Sequence, residues 1–120
     1  MTIAVLGAGA GGLAATVELT RAGHDVALWN RNPARLDPHR TAGVRFSGVF
    51  GDGALRPAGM SSDLAATLDD VDAVVVCLPS VVHPQLFADL AALGCAAPVI
   101  LNPGHTGGAL HLRQVFAQAG

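Results

Sequence analysis

A run of β-branched and other apolar residues, Thr2 to Leu6, stops at the cluster "GAGAGG", Gly7 to Gly12, and an alanine-rich stretch follows. No other feature of the 120 residues restricts the fold as much. A continuously apolar strand is one buried on both faces, as in a parallel sheet covered by helices. Leu13 to Ala22 then reads as a helix that ends at Gly23, where a C-terminal glycine stops the turn. Asp25 to Trp29 gives a second short strand. Strand, helix and strand with tight links make a βαβ unit, whose crossover is expected to be right-handed.

The alternation continues. Asn32 to Arg40 is polar, with Pro33 placed to open a short helix. "GVRFSGVFGDGALRP" holds two strand-like pieces around Gly51-Asp52-Gly53, the pattern of a hairpin. Ser61 or Ser62 is placed to cap a brief helix through Leu68. Asp72 to Pro79 is a third core strand, and the helix after it is expected to be capped by Ser80 and stopped at Gly94. Pro84 falls in its first turn, where proline is tolerated. Pro98 to Asn102 is a fourth core strand, "PGHTGG" a loop, and Ala109 to Ala119 a last helix. The pattern is one α/β domain over residues 1–120, a doubly wound parallel sheet. The sequence stops just after a helix, at Gly120, where such a sheet adds further strands. It is therefore expected to be cut short of them.

Composition excludes several function classes. A net charge of -2 offers no general field for nucleic acid or an anionic membrane, and four Phe, one Trp and no Tyr make no stacking platform for single strands. The apolar N-terminus carries no positive segment of a signal peptide, and its glycines argue against a spanning helix. Five histidines lie scattered without metal-ligand spacing, so no metal site is expected. Cys77 and Cys95 form no CxxC pair and read as small packed hydrophobes, which points to a reducing, cytoplasmic setting.

Gly7, Gly9 and Gly12 fit G-x-G-x-x-G in the context that pattern needs, leaving a strand and entering a helix in a βαβ unit of about 30 residues. This is the dinucleotide fingerprint of a Rossmann-type sheet. Gly7 permits the tight turn, Gly9 lets the backbone approach a pyrophosphate, and Gly12 lets the helix pack close on the strand. Ala10 and Gly11 complete the cradle, and the helix N-terminus offers N–H groups and partial positive charge to the phosphates. The end of the second strand discriminates between dinucleotides. NAD sites place Asp or Glu there for the ribose 2′-hydroxyl. This chain has Asn30, Arg31 and, one turn on, Arg35. An amide and a guanidinium suit the 2′-phosphate, and the guanidinium can stack on adenine, which favours NADP with NAD as the alternative. The competing readings are a glycine turn that binds nothing and an Arg31 that is only solvated. His24, just before the second strand, has the place of a loop or capping residue.

Ligands of open parallel sheets lie outside the carboxyl ends of the strands. The segments there are Leu78-Pro79-Ser80 after the third core strand and Asn102-Pro103-Gly104-His105-Thr106 after the fourth. Both strands are expected to neighbour the first, so both loops should flank the nicotinamide half. "GAGAGG", "LWNRNP", "CLPSVVH" and above all "LNPGHTGGAL" together resemble the N-terminal domain of the opine dehydrogenases, the octopine and nopaline dehydrogenase family. The resemblance covers essentially the whole chain. It implies reductive condensation of an α-keto acid with the amino group of an amino acid, the imine accepting hydride from a reduced nicotinamide. It further implies that Gly7, Gly9, Gly11 and Gly12 cradle the pyrophosphate and that Asn30, Arg31 and Arg35 address the adenosine end. Leu78, Pro79, Ser80, Asn102, Pro103 and Gly104 would line the nicotinamide side.

That family's catalytic histidine and acid belong to a helical C-terminal domain, so no catalytic residue is expected among these 120, and amino-acid and keto-acid contacts should lie mostly in that domain. His83, His105 and Thr106 are the candidates for the substrate side; His111 reads as helix surface. The ketopantoate reductases and glycerol-3-phosphate dehydrogenases share "GAGA.G" and the "NR" ending but not "NPGHTGGAL", and they form the alternative within the enzymes. A stand-alone NADP-binding module without catalysis is the alternative outside them.

Overall fold

The computed structural model describes residues 1–46 and 53–101. Strands β1 (Thr2–Leu6), β2 (Asp25–Trp29), β5 (Gly59–Ser61), β6 (Ala73–Val76) and β7 (Val99–Leu101) form one sheet in the order β5-β2-β1-β6-β7. All four pairings are parallel. A separate antiparallel ribbon pairs β3 (Val44–Phe46) with β4 (Gly53–Leu55), Val44 opposite Leu55. The paired arms agree with the hairpin expectation; most of the turn lies outside the described residues. The expected last helix, Ala109 to Ala119, lies outside them as well.

Helices α1 (Ala10–Arg21), α2 (Asp37–Ala42), α3 (Leu64–Thr67) and α4 (His83–Ala92) complete the domain. The sheet is covered on both faces. On one, Val5, Val26, Leu28 and Cys77 pack with Ala15 of α1 and with Leu36. On the other, Ala4, Leu6, Val74 and Val76 pack against Leu86, Phe87 and Leu90 of α4, with Leu64 and Leu68 around α3 alongside. Ala4 and Val5 facing opposite clusters is the pleat at work: a period of two on a strand buried both ways needs apolar residues at every position. Burying each of Leu86, Phe87 and Leu90 is worth about 1.5–3 kcal/mol, which fixes α4 firmly on the sheet.

Five expectations change. α1 begins at Ala10 rather than Leu13, so the last two glycines of the cluster are already helical. β5 was not anticipated, because "GMS" has no apolar run; its pairing of Ala27 with Gly59 and Trp29 with Ser61 comes from the exposed edge of β2. The cap of α3 is Asp63, whose carboxylate accepts from Ala66 N at 3.2 Å. Ser61 acts one step earlier, its hydroxyl accepting from Asp63 N at 2.9 Å. α4 is preceded by a 3₁₀ turn, Ser80–Val82, so its N-cap is Val82 and not Ser80. Finally, β7 pairs with β6 and does not touch β1, which sets the fourth core strand one position further out than expected. Among the described residues no helix is long and apolar enough to cross a membrane.

Candidate functional site

The carboxyl ends of β2, β1 and β6 are tied to one another where the chain leaves β1. Gly7 N donates to Trp29 O at 2.7 Å, and Cys77 N donates to Leu6 O at 2.9 Å. The strand order reverses between β1 and β6, the switch point at which open α/β sheets form a crevice. Four segments therefore meet at one place: the glycine turn, Asn30-Arg31, Leu78-Pro79, and the start of α1.

The three fingerprint glycines differ in what surrounds them. Gly7 has φ +118°, and a Cβ there would meet Cys77 O at 2.7 Å and the Leu78 side chain at 2.9 Å. A Cβ on Gly12 would lie 1.7 Å from the carbonyl oxygen of Gly7, so the first turn of α1 meets the glycine turn at backbone contact. Thr16 holds the same turn, its buried hydroxyl donating to Gly12 O at 2.8 Å. Gly9 and Gly11 are the reverse: nothing lies within 4 Å of a Cβ at either. Gly9 is the N-cap of α1 with no side-chain hydrogen bond to the helix, so the first-turn N–H groups are left to another acceptor. One half of the motif is filled by packing; the other half faces open space.

Asn30 is placed differently from a free ligand group. It is 7% exposed, its Oδ1 accepts from Ala8 N at 3.1 Å, and its Nδ2 donates to Asn32 O at 3.0 Å. The amide thus ties the end of β2 to the glycine turn. Asn32 in turn caps the 3₁₀ turn Pro33–Arg35, accepting from Ala34 N at 3.0 Å. Arg31 and Arg35 are exposed on this corner. Arg31 reaches across to α4, with Nη2 3.4 Å from Asp89 Oδ2.

Between Arg31 and α4 lies a cleft of about 300 Å³ lined by Trp29, Asn30, Arg31, Leu78, Val81, Val82, Gln85 and Leu86. Val81 is 83% and Val82 41% exposed, apolar surface on its outer wall. Leu78 belongs to the cleft and also abuts Gly7, so the slot and the glycine turn share a wall. His83 is 2% exposed and holds that wall, with Nε2 2.8 Å from Leu78 O and its ring 5.2 Å from that of Phe87. Its place is behind the loop rather than in the open crevice. Cys77, buried beside the turn, has its thiol pushed up by burial. Asn102, Pro103, Gly104, His105 and Thr106 lie outside the described residues. Trp29, Val81, Val82, Gln85 and Asp89 were not singled out from sequence; only the two adjacent valines next to a polar turn gave any signal.

The family model described as ketopantoate reductase PanE/ApbA matches residues 3–101. The chain belongs to that family. The likeness to opine dehydrogenases holds as well: the opine dehydrogenase of Arthrobacter sp. (strain 1C) is 31% identical across 99% of this chain and 34% of its own length. A glycerol-3-phosphate dehydrogenase [NAD(P)+] of Hydrogenovibrio crunogenus (strain DSM 25203 / XCL-2) is 47% identical across 67% of this chain and 23% of its own. The crystal structure of a PanE/ApbA family ketopantoate reductase from Ralstonia eutropha JMP134 superposes with a TM-score of 0.80 at 26% identity, covering 95% of this chain and 38% of that one. The fold is thus the Rossmann-type sheet of these proteins. This PanE/ApbA-family chain spans 34% and 23% of the two relatives it matches in sequence.

Proposed function

We propose that the chain is the NADP(H)-binding domain of an opine-type dehydrogenase, which condenses an α-keto acid with the amino group of an amino acid and reduces the resulting imine. The observation that carries the cofactor assignment is the divided glycine turn. Gly12 is occupied by the Gly7 carbonyl, whereas Gly9 and Gly11 face space at an uncapped helix N-terminus. A turn that served packing alone would need no glycine at the two open positions. Phosphate oxygens fit there, accepting from first-turn N–H groups at the positive end of the helix dipole. The cleft beside Arg31 has the size and apolar walls for an adenine ring, with Val81 and Val82 against one side. Arg31 and Arg35 supply the cations for a 2′-phosphate; Asn30 acts behind them, holding the turn in shape.

When bound, the dinucleotide supplies the hydride. The chain's own part is to bind and orient it: Leu78 and Pro79 close one side of the crevice, and His83 fixes them through the Leu78 carbonyl. Asn102, Pro103 and Gly104 are assigned to the nicotinamide side, and His105 and Thr106 to the substrate side; Ser80, between the cleft residues Leu78 and Val81, goes with the adenosine end instead of the nicotinamide side expected from sequence. No residue of this chain is assigned a proton-transfer or nucleophilic role. Substrate contacts are assigned to a region corresponding to the remainder of the longer relatives.

Support for the opine class is that the Arthrobacter opine dehydrogenase aligns across 99% of the chain, "NPGHTGGAL" included, while the family match ends at residue 101. A glycerol-3-phosphate or ketopantoate reaction is the second reading, favoured by the 47% identity over 67% of the chain. The test is substrate-dependent NADPH oxidation, or NADP⁺ reduction where the substrate is an alcohol, by the longest native polypeptide carrying this sequence. Turnover with pyruvate plus an amino acid, and none with ketopantoate, is expected. Turnover with ketopantoate alone, or with glycerol 3-phosphate and NADP⁺, would replace the opine assignment.

A further inference from the structure

Arg31 and Asp89 are 58 positions apart, yet their side chains meet at 3.4 Å beside the cleft that Arg31 lines. Asp89 is held there by a second bond, accepting from Gln85 Nε2 at 2.9 Å one helical turn earlier on α4. Gln85 itself lines the cleft. The cation assigned to the 2′-phosphate is therefore already engaged by a carboxylate, and that carboxylate is anchored on a helix whose buried face is locked into the core.

We infer that Asp89 is a specificity-determining residue for the dinucleotide, competing with the 2′-phosphate for Arg31 and thereby narrowing the preference for NADP(H) over NAD(H). This rests on the proposed cofactor reading. A 2′-phosphate arriving at Arg31 must displace the Asp89 carboxylate or sit beside it, and both options disfavour a second anion. A 2′-hydroxyl meets neither cost. NADH binding is accordingly indifferent to Asp89, and NADPH binding is held below what Arg31 alone would give. Both partners are substantially exposed, 68% for Arg31 and 37% for Asp89 side chains, so the competition is moderate and weakens with salt.

The experiment is calorimetric titration of NADPH and NADH against the wild-type chain, Asp89→Asn, Arg31→Ala and the double variant at low ionic strength. Asn keeps the size and an acceptor for Gln85 on an outward helical position, so the fold is retained. Expected for Asp89→Asn is NADPH binding tighter by about three- to tenfold, the range of an exposed ion pair plus removal of one like charge. NADH should stay within about twofold, as a group with no differential contact shifts nothing. In the Arg31→Ala background the gain should vanish, since coupled residues are non-additive. Unchanged or weaker NADPH binding by Asp89→Asn overturns the inference and makes Asp89 a positioning partner of Arg31. A gain that persists without Arg31 overturns it too, leaving plain charge repulsion. Binding of neither nucleotide by the folded wild type overturns the cofactor reading itself, and the inference with it.

Discussion

Gly9 and Gly12 sit three residues apart in one motif, and a methyl group added to each should have opposite consequences. At Gly12 it would stand 1.7 Å from the Gly7 carbonyl, and neither backbone can yield without separating the start of α1 from the glycine turn. Gly12→Ala should cost about 3 kcal/mol or more in denaturant unfolding, as overpacking against backbone does. At Gly9, with φ -78° and nothing within 4 Å, alanine fits without strain, so stability should move by less than about 1 kcal/mol. Asn30→Ala belongs to the first kind: it strips the buried Ala8 N–H of its acceptor and should cost about 1–3 kcal/mol. The sequence made Asn30 a residue facing the ligand, because position and polarity are visible in a sequence while burial is not. Cys77 gives a chemical readout of the same packing. Its thiol is raised by burial, so an alkylating reagent at mildly alkaline pH should modify the half-buried Cys95 first and Cys77 only on unfolding. The linkage has a definite sign. Stability tied to Cys77 is whole below the ordinary thiol range and declines as pH rises toward the raised folded value, where the unfolded chain ionises first.

At the scale of elements, what was legible followed from how strongly local pattern and final contact agree. β1 and β2 were read at their true bounds because each is a short, mainly apolar run that stops at a turn-forming or polar residue, Gly7 after β1 and Asn30 after β2. α1 was read late by three residues: glycine is a poor helix former, so the turn Ala10-Gly11-Gly12 becomes helical through the close approach of Gly12 to Gly7 rather than through propensity. β5 was missed for a related reason. Its three residues pair with β2 to satisfy that edge, and nothing in "GMS" announces it. The same limit hid Asp89, since no spacing in sequence joins α4 to the end of β2. His83 shows the converse, a residue named as a substrate-side candidate that the structure uses as a brace. Removing it leaves Leu78 O without that donor and opens a void beside Phe87. His83→Ala should therefore cost about 2 kcal/mol or more and loosen the cleft wall, which hydrogen exchange at Leu78 to Val82 would report.

Among the described residues the molecule is a five-stranded parallel sheet with a small antiparallel ribbon; the strand order reverses beside the glycine turn, both faces are covered, and the cleft and the exposed Arg31 and Arg35 share one end. That concentration at the carboxyl end was predicted by the βαβ pattern; the position of β7 was not, because β1 is already flanked by β2 and β6, which leaves β7 to pair with its predecessor β6. A site built this way couples ligand to fold. NADPH at a hundred times its dissociation constant should stabilise the wild type by about 2.7 kcal/mol, seen as a raised unfolding midpoint. The most direct measurement is a calorimetric titration of NADPH into wild type and Gly9→Ala, with each variant's unfolding midpoint recorded alongside. Binding by the wild type, and binding weakened at least about tenfold in an equally stable Gly9→Ala, is the predicted result, a loss of about 1.4 kcal/mol at the phosphates. Undiminished binding by Gly9→Ala, or no binding by a folded wild type, would contradict the assignment of the glycine turn as a pyrophosphate cradle.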